Sequence, residues 1–221
     1  MRFLISFIIV LTLLVSCKNS EKSEKIEDKK EDAQTEEVQD QSLDKGIAIA
    51  LPNQLDWEKK NVLIEDVNEY YSDTLQVKKL VSKGDVSYLS LKNTKLSYKG
   101  DLFRIKVLVK GMSDETFFAL RFQEIYPNRV DAIFDLKKGK VKKVVKTGNA
   151  AEEEKASIKA LGNGWYECSL EAQLYSDYIG ILLGVTNNMK GPKNWEASSA
   201  IDDSVLFVPS SLSLENIEGN N

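Results

Sequence analysis

The chain is predicted to fold as an all-β antiparallel β-sandwich, and three observations carry that prediction. From Ile47 onward, short runs rich in Val, Ile, Leu, Phe and Tyr alternate with turns rich in Gly, Asn, Asp and Lys. Several of these runs alternate apolar and polar residues with period two, the mark of a strand with one buried face. No stretch of this region keeps a strong helical period, and many short strands at regular spacing build a sandwich.

The elements follow in order. Strands are expected over residues 62–67, 74–80 and 87–91. Trp57, in LDWEKKN just before them, is expected to cover the edge of the core. Residues 103–110, FRIKVLVK, set Phe103, Ile105, Val107 and Val109 on one face and Arg104 and Lys106 on the other, and Gly111 ends the strand. In the next strand Phe118, Leu120 and Phe122 point inward, opposite Ala119, Arg121 and Gln123. Residues 130–136 form a strand closed by the turn Lys137-Lys138-Gly139 and resumed over 140–145. Residues 156–160 and 165–170 flank Gly162-Asn163-Gly164 as a hairpin, whose tight corner needs the positive φ that glycine adopts without strain. Ile179, Ile181, Leu183 and Val185 line the core side of a further strand, and 205–208 and 212–214 close the chain. AAEEEK, at 150–155, has a helix former's composition but is expected to be a loop of the sandwich.

The N-terminus has a different character. MRFLISFIIVLTLLVSC carries one basic residue, Arg2, and then an apolar run from Phe3 to Val15. A membrane-spanning helix needs about 20 such residues, so this run has the length of a signal-peptide core instead. Its end, Leu14-Val15-Ser16-Cys17, resembles the lipobox of bacterial lipoproteins. That resemblance implies cleavage before Cys17 and lipidation of Cys17, with palmitate among the acyl chains. It also implies a home in the cell envelope, on the outer membrane, facing the periplasm or the cell surface. Several acyl chains anchor stably where one short chain binds only marginally. Cys168 is then left alone, no disulfide framework exists, and apolar burial must hold the domain together.

Residues 17–46 are dominated by Glu, Lys, Asp and Gln, a composition that cannot bury enough apolar surface to offset the entropy of ordering. The division expected is therefore a signal peptide over 1–16, a lipidated cysteine and charged flexible tether over 17–46, and a sandwich domain over 47–221. The tether's acidic excess accounts for most of the net charge of −4. The folded part is nearly neutral, which argues against a nucleic-acid partner.

Two runs of the sandwich belong together. FDLKKGKV begins at Phe134, and ASIKALGNGWYECSL begins at Ala156. With Val109-Lys110-Gly111 before them, they resemble a pattern of carbohydrate-binding-module-like jelly-roll domains. The resemblance covers roughly residues 56–215, although the aromatic-rich closing strand of that family has only a weak counterpart over 205–215. It implies a jelly-roll topology and a protein that binds glycans.

The residues themselves bound the chemistry. There is no histidine anywhere in the chain. That removes a Ser-His-Asp triad, His-containing zinc sites and the usual general base at neutral pH. Cys168, on a core strand with no histidine to activate it, is a poor nucleophile. Paired carboxylates such as Asp131, Asp135 and Glu167 are the remaining catalytic option, so a polysaccharide hydrolase or lyase stands as a weaker alternative. The chain is expected not to be an enzyme.

Binding chemistry is better supplied. Aromatic faces stack on sugar rings, and forked guanidinium groups match carboxylates or sulfates. Arg104, Arg121, Gln123, Glu167, Trp165 and Tyr178 all fall on the non-core side of their strands, and they form one polar and aromatic patch if those strands share a sheet. Trp165 can equally cover the hairpin corner, with Tyr166 facing inward beside Cys168. Tyr126 in EIYPNR and Trp195 in NNMKGPKNWEA sit in Pro- and Asn-containing loops, where an aromatic has less packing reason to exist. The expected function is non-catalytic binding of a polysaccharide, including an acidic one, and the alternative is a structural or adhesion module with a protein partner. No cofactor is expected beyond a structural calcium held by Asp202 and Asp203 with Asp56 or Asp66.

Overall fold

The computed structural model describes residues 46–217, apart from 85, 97–98, 114–115, 150–152, 188–194 and 197–199. The signal peptide, Cys17 and all of the tether except Gly46 lie outside these residues.

The described residues form two packed antiparallel sheets. One contains β1 (Ile47–Ile49), β3 (Val62–Ser72), β4 (Leu75–Ser82), β6 (Leu102–Gly111), β10 (Glu154–Gly162), β11 (Trp165–Gln173), β13 (Ser204–Phe207) and β14 (Ser213–Asn216). The other runs β2 (Glu58–Lys60), β5 (Tyr88–Lys95), β12 (Tyr178–Thr186), β7 (Phe117–Gln123), β8 (Arg129–Asp135) and β9 (Lys140–Thr147). In the eight-stranded sheet β6 pairs with β11 along one edge, and its other edge is shared by β13 and β14. Four pairings define the topology: β4 with β13, β5 with β12, β6 with β11, and β7 with β8. Early strands meet late ones and the middle strands meet each other, which is a hairpin rolled up on itself, the jelly roll.

The period-two pattern predicted the core well. Phe103, Ile105, Val107 and Val109 of β6 are fully buried between the sheets. They meet Phe118, Leu120 and Phe122 of β7, Cys168 and Leu170 of β11, and Ile179, Ile181, Leu183 and Val185 of β12. Each such side chain contributes about 1.5–3 kcal/mol by leaving water, which lets the fold stand without a disulfide. Burial, and secondarily the charge of Glu167, pushes the Cys168 thiol well above its usual pKa. Trp57 joins the same core.

Two short strands, β1 and β2, were not expected, because three residues are too few to show a period. Within 150–155, Glu154 and Lys155 open β10, while residues 150–152 lie outside the described region. At the hairpin corner Gly162, Asn163 and Gly164 all adopt positive φ, and the β10–β11 register shifts there. Gly139 touches this second motif: a Cβ there would stand 2.8 Å from Cε1 of Tyr166. Tyr166 packs against the main core, so the 134–141 and 156–170 runs meet through a glycine and a ring.

Candidate functional site

The outer face of the six-stranded sheet is divided in two. Alternation turns Tyr88, Ser90 and Lys92 of β5, Tyr178, Gly180, Leu182 and Gly184 of β12, Arg121 and Gln123 of β7, and Arg129 and Asp131 of β8 away from the core. One half is apolar, where Phe117, Ala119 and Ile133 form a bed for Trp195, flanked by Tyr88 and Leu182. Trp195 is fully buried there. Gly184 makes room for it, since a Cβ at that position would lie 2.8 Å from Cζ3 of the indole. The other half is an open groove of about 500 Å3, lined among others by Ser90, Lys92, Arg121, Gln123, Arg129, Ile125, Tyr178 and Gly180.

A buried polar network separates the halves. Arg121 and Asp131 stand opposite each other in the β7–β8 register. The guanidinium Nε donates to Asp131 Oδ1 at 2.5 Å, and the Trp195 indole N–H donates to the same oxygen at 2.8 Å. Nη1 and Nη2 of Arg121 fork onto Oε1 and Oε2 of Glu196 at 3.1 and 3.0 Å. Arg129 Nε lies 3.4 Å from Asp131 Oδ2. Burial pushes the Asp131 carboxyl above the ordinary carboxylate pKa, against the opposing pull of Arg121, Trp195 and Arg129. The Glu196 carbonyl also accepts from Ser87 N at 2.7 Å, so the Trp195-Glu196 turn is fastened by main chain as well as side chains.

The rim is pinned in the same manner. Glu124 Oε1 accepts from the backbone N–H groups of Tyr175 and Ser176 at 2.7 and 2.8 Å. Gln123 Nε2 donates to the carbonyls of Glu124 and Asn128 at 3.0 and 2.9 Å, which ties the 124–128 loop to the end of β7. Two features of the groove stand out. Tyr178 is 53% exposed, and Ser90 Oγ, in a residue only 1% exposed, has no hydrogen-bond partner among the described residues. A buried hydroxyl without a partner costs about 1–3 kcal/mol.

The expectation of one shared face is corrected. Arg121, Gln123 and Tyr178 meet in the groove, but Arg104, Trp165 and Glu167 belong to the eight-stranded sheet. Alternation tells in from out, and does not tell which sheet a strand joins. Arg104 is engaged by Glu171 at 2.8 Å and Glu215 at 3.7 Å. Glu167 is partly exposed on that same outer face. Trp165, 5% exposed, packs with Val77, Leu206 and Val208, meets Tyr71 edge-on at 5.2 Å, and has the Lys110 ammonium 5.8 Å from its ring centroid. Trp195, expected to be an exposed loop aromatic, supports the groove from inside and offers no open face. Tyr126 is 83% exposed, and it is Ile125 beside it that forms part of the groove wall.

Asp66 pairs with Lys78, Asp202 pairs with Lys83 at 2.7 Å, and Asp203 Oδ2 accepts from Ala200 N at 2.7 Å. No three metal-ligating acid, cysteine or histidine side chains come together among the described residues.

Ser90, Lys92, Arg129, Glu196 and Gly180 lie in the groove without having been singled out from sequence. The legible signal was charge in apolar company: Arg121 in FFALRFQ and Asp131 in RVDAIFD each interrupt a strand of buried residues. No protein-family model matches the chain, and no curated protein matches it.

Proposed function

We propose that the groove on the six-stranded sheet binds a glycan without chemical turnover, on a domain held at the bacterial envelope by a lipid on Cys17. The observation that carries this reading is the exposed Tyr178 ring on an open groove of about 500 Å3 lined with polar side chains. A pyranose offers the matching surface, an apolar ring face for the tyrosine and hydroxyls for the polar lining. Gly180 keeps the floor open by having no side chain. The jelly-roll strand pairing and the likeness of the 134–170 region to carbohydrate-binding modules support the same reading. The groove's carboxylates favour binding over catalysis: Glu124 is committed to two backbone amides and Glu196 to Arg121, so neither is poised as a free acid or base.

The test is a glycan array probed with the full purified chain, followed by titration of each hit against Tyr178→Ala. Saturable binding lost in that variant is the expected result. Absence of binding across neutral and anionic polysaccharides overturns the proposal.

A further inference from the structure

We infer that the groove takes an uncharged saccharide and discriminates against uronates and sulfated sugars, an inference that rests on the glycan-binding reading of this groove. Its cations suggest the opposite at first sight, since Lys92, Arg121 and Arg129 all line it. Each, however, already has a protein carboxylate in place. Lys92 Nζ is 2.5 Å from Glu58 Oε2. Arg121 is forked onto Glu196 and bonded to Asp131, and Arg129 lies 3.4 Å from Asp131. An anionic ligand must therefore displace or sit beside an existing carboxylate, so the charge attraction it gains is spent on the attraction it disrupts. Like-charge contact with Glu196 and Glu58 adds a penalty of its own.

The most exposed ring on the groove is neutral: Tyr178, 53% exposed, presents an aromatic face. That face suits the C–H side of a sugar ring and has no preference for an anion. Glu58 and Glu196 then act as specificity residues, covering the cations from which an anion-binding groove would be made.

The experiment titrates the full chain with neutral hexasaccharides (β-1,4-glucan, β-1,3-glucan, β-1,4-mannan and β-1,4-xylan) and with oligogalacturonate and sulfated galactan of equal length. Each titration is run at about 20 and about 500 mM salt. A neutral probe is expected to bind at least about tenfold tighter than either anion, with affinity changing less than about twofold between the salts. Tyr178→Ala should weaken that binding by about tenfold or more. Glu58→Gln, an exposed position with little bearing on folding, should raise oligogalacturonate binding at low salt, and Glu58→Gln with Glu196→Gln should raise it further. Tighter binding of an anion, falling steeply with salt, overturns the inference while leaving glycan binding intact. Binding of neither class overturns both.

Discussion

Trp195 and Arg121 are coupled through a single oxygen. Both donate to Asp131 Oδ1, at 2.8 and 2.5 Å, while the guanidinium carbon sits 5.4 Å from the indole centroid. The ring fills the apolar half of the outer face and the guanidinium forms the boundary of the groove, so packing on one side fixes polar geometry on the other. Truncating Arg121 strands the buried Asp131 carboxylate, and truncating Trp195 takes away one of its donors, which makes the pair a stability element first and a groove element by consequence.

Trp195→Phe keeps most of the ring in its bed and deletes the indole N–H. Asp131 loses one donor, and the expected cost is about 1–3 kcal/mol. For a domain of this size that lowers the midpoint of thermal unfolding by about 2–4 °C per kcal/mol, read by circular dichroism. Gly184→Ala should damage the same element from beneath, because its Cβ would meet the indole at 2.8 Å and the Ser87 carbonyl at 3.1 Å. An unchanged midpoint in both variants contradicts the coupling of Trp195 to Arg121 through Asp131.

The glycine at the junction of the 134–141 and 156–170 runs gives a paired comparison. Gly139 and Gly162 both have positive φ, 57° and 90°, so alanine strains the backbone at each by about 1–2 kcal/mol. Only at Gly139 does the new methyl also collide, at 2.8 Å, with the Tyr166 ring, whereas nothing lies within 4 Å at Gly162. Gly139→Ala is expected to be the more destabilising by about 1–3 kcal/mol in a denaturant titration. Equal losses would mean that Tyr166 moves aside freely.

How far the sequence led can be seen from these same residues. The inward set Phe103, Ile105, Val107 and Val109 was legible because a strand with one face in water must alternate, and all are buried. Trp195 was misread because a Gly-, Pro- and Asn-containing sequence looks exposed, and only the folded chain shows that the Trp195 ring lies on an apolar patch of the outer face. The patch joining Trp165 to Arg121 failed for another reason. Parity assigns a side chain to a face of its own strand, but sheet membership depends on pairings such as β6 with β11 and β7 with β12, set by long-range packing.

Thiol chemistry tests core and anchor together. Cys168 is buried on β11 and its pKa is raised by that burial, so at mildly alkaline pH it should not react with a soluble disulfide reagent in the folded protein. In denaturant it should react fully. If Cys17 carries lipid through its sulfur, the denatured mature protein titrates as one thiol per chain; two thiols would refute the lipidation proposed above.

The two half-polar aromatics on opposite sheets separate binding from stability. Trp165 is packed among Val77, Leu206, Val208 and Tyr71, and replacing it with alanine removes a large buried ring at a cost of about 3–5 kcal/mol. Being on the other sheet, it should leave affinity for any groove ligand unchanged at temperatures where the variant remains folded. Tyr178 is the reverse case. Half its surface is in water, so Tyr178→Ala should alter stability by under about 1 kcal/mol, yet remove the stacking platform and weaken glycan binding by about tenfold or more. Calorimetric unfolding and titration of the same two preparations check both outcomes. A Trp165 variant that folds but loses binding would move the site to the eight-stranded sheet, where Arg104 and Glu167 lie.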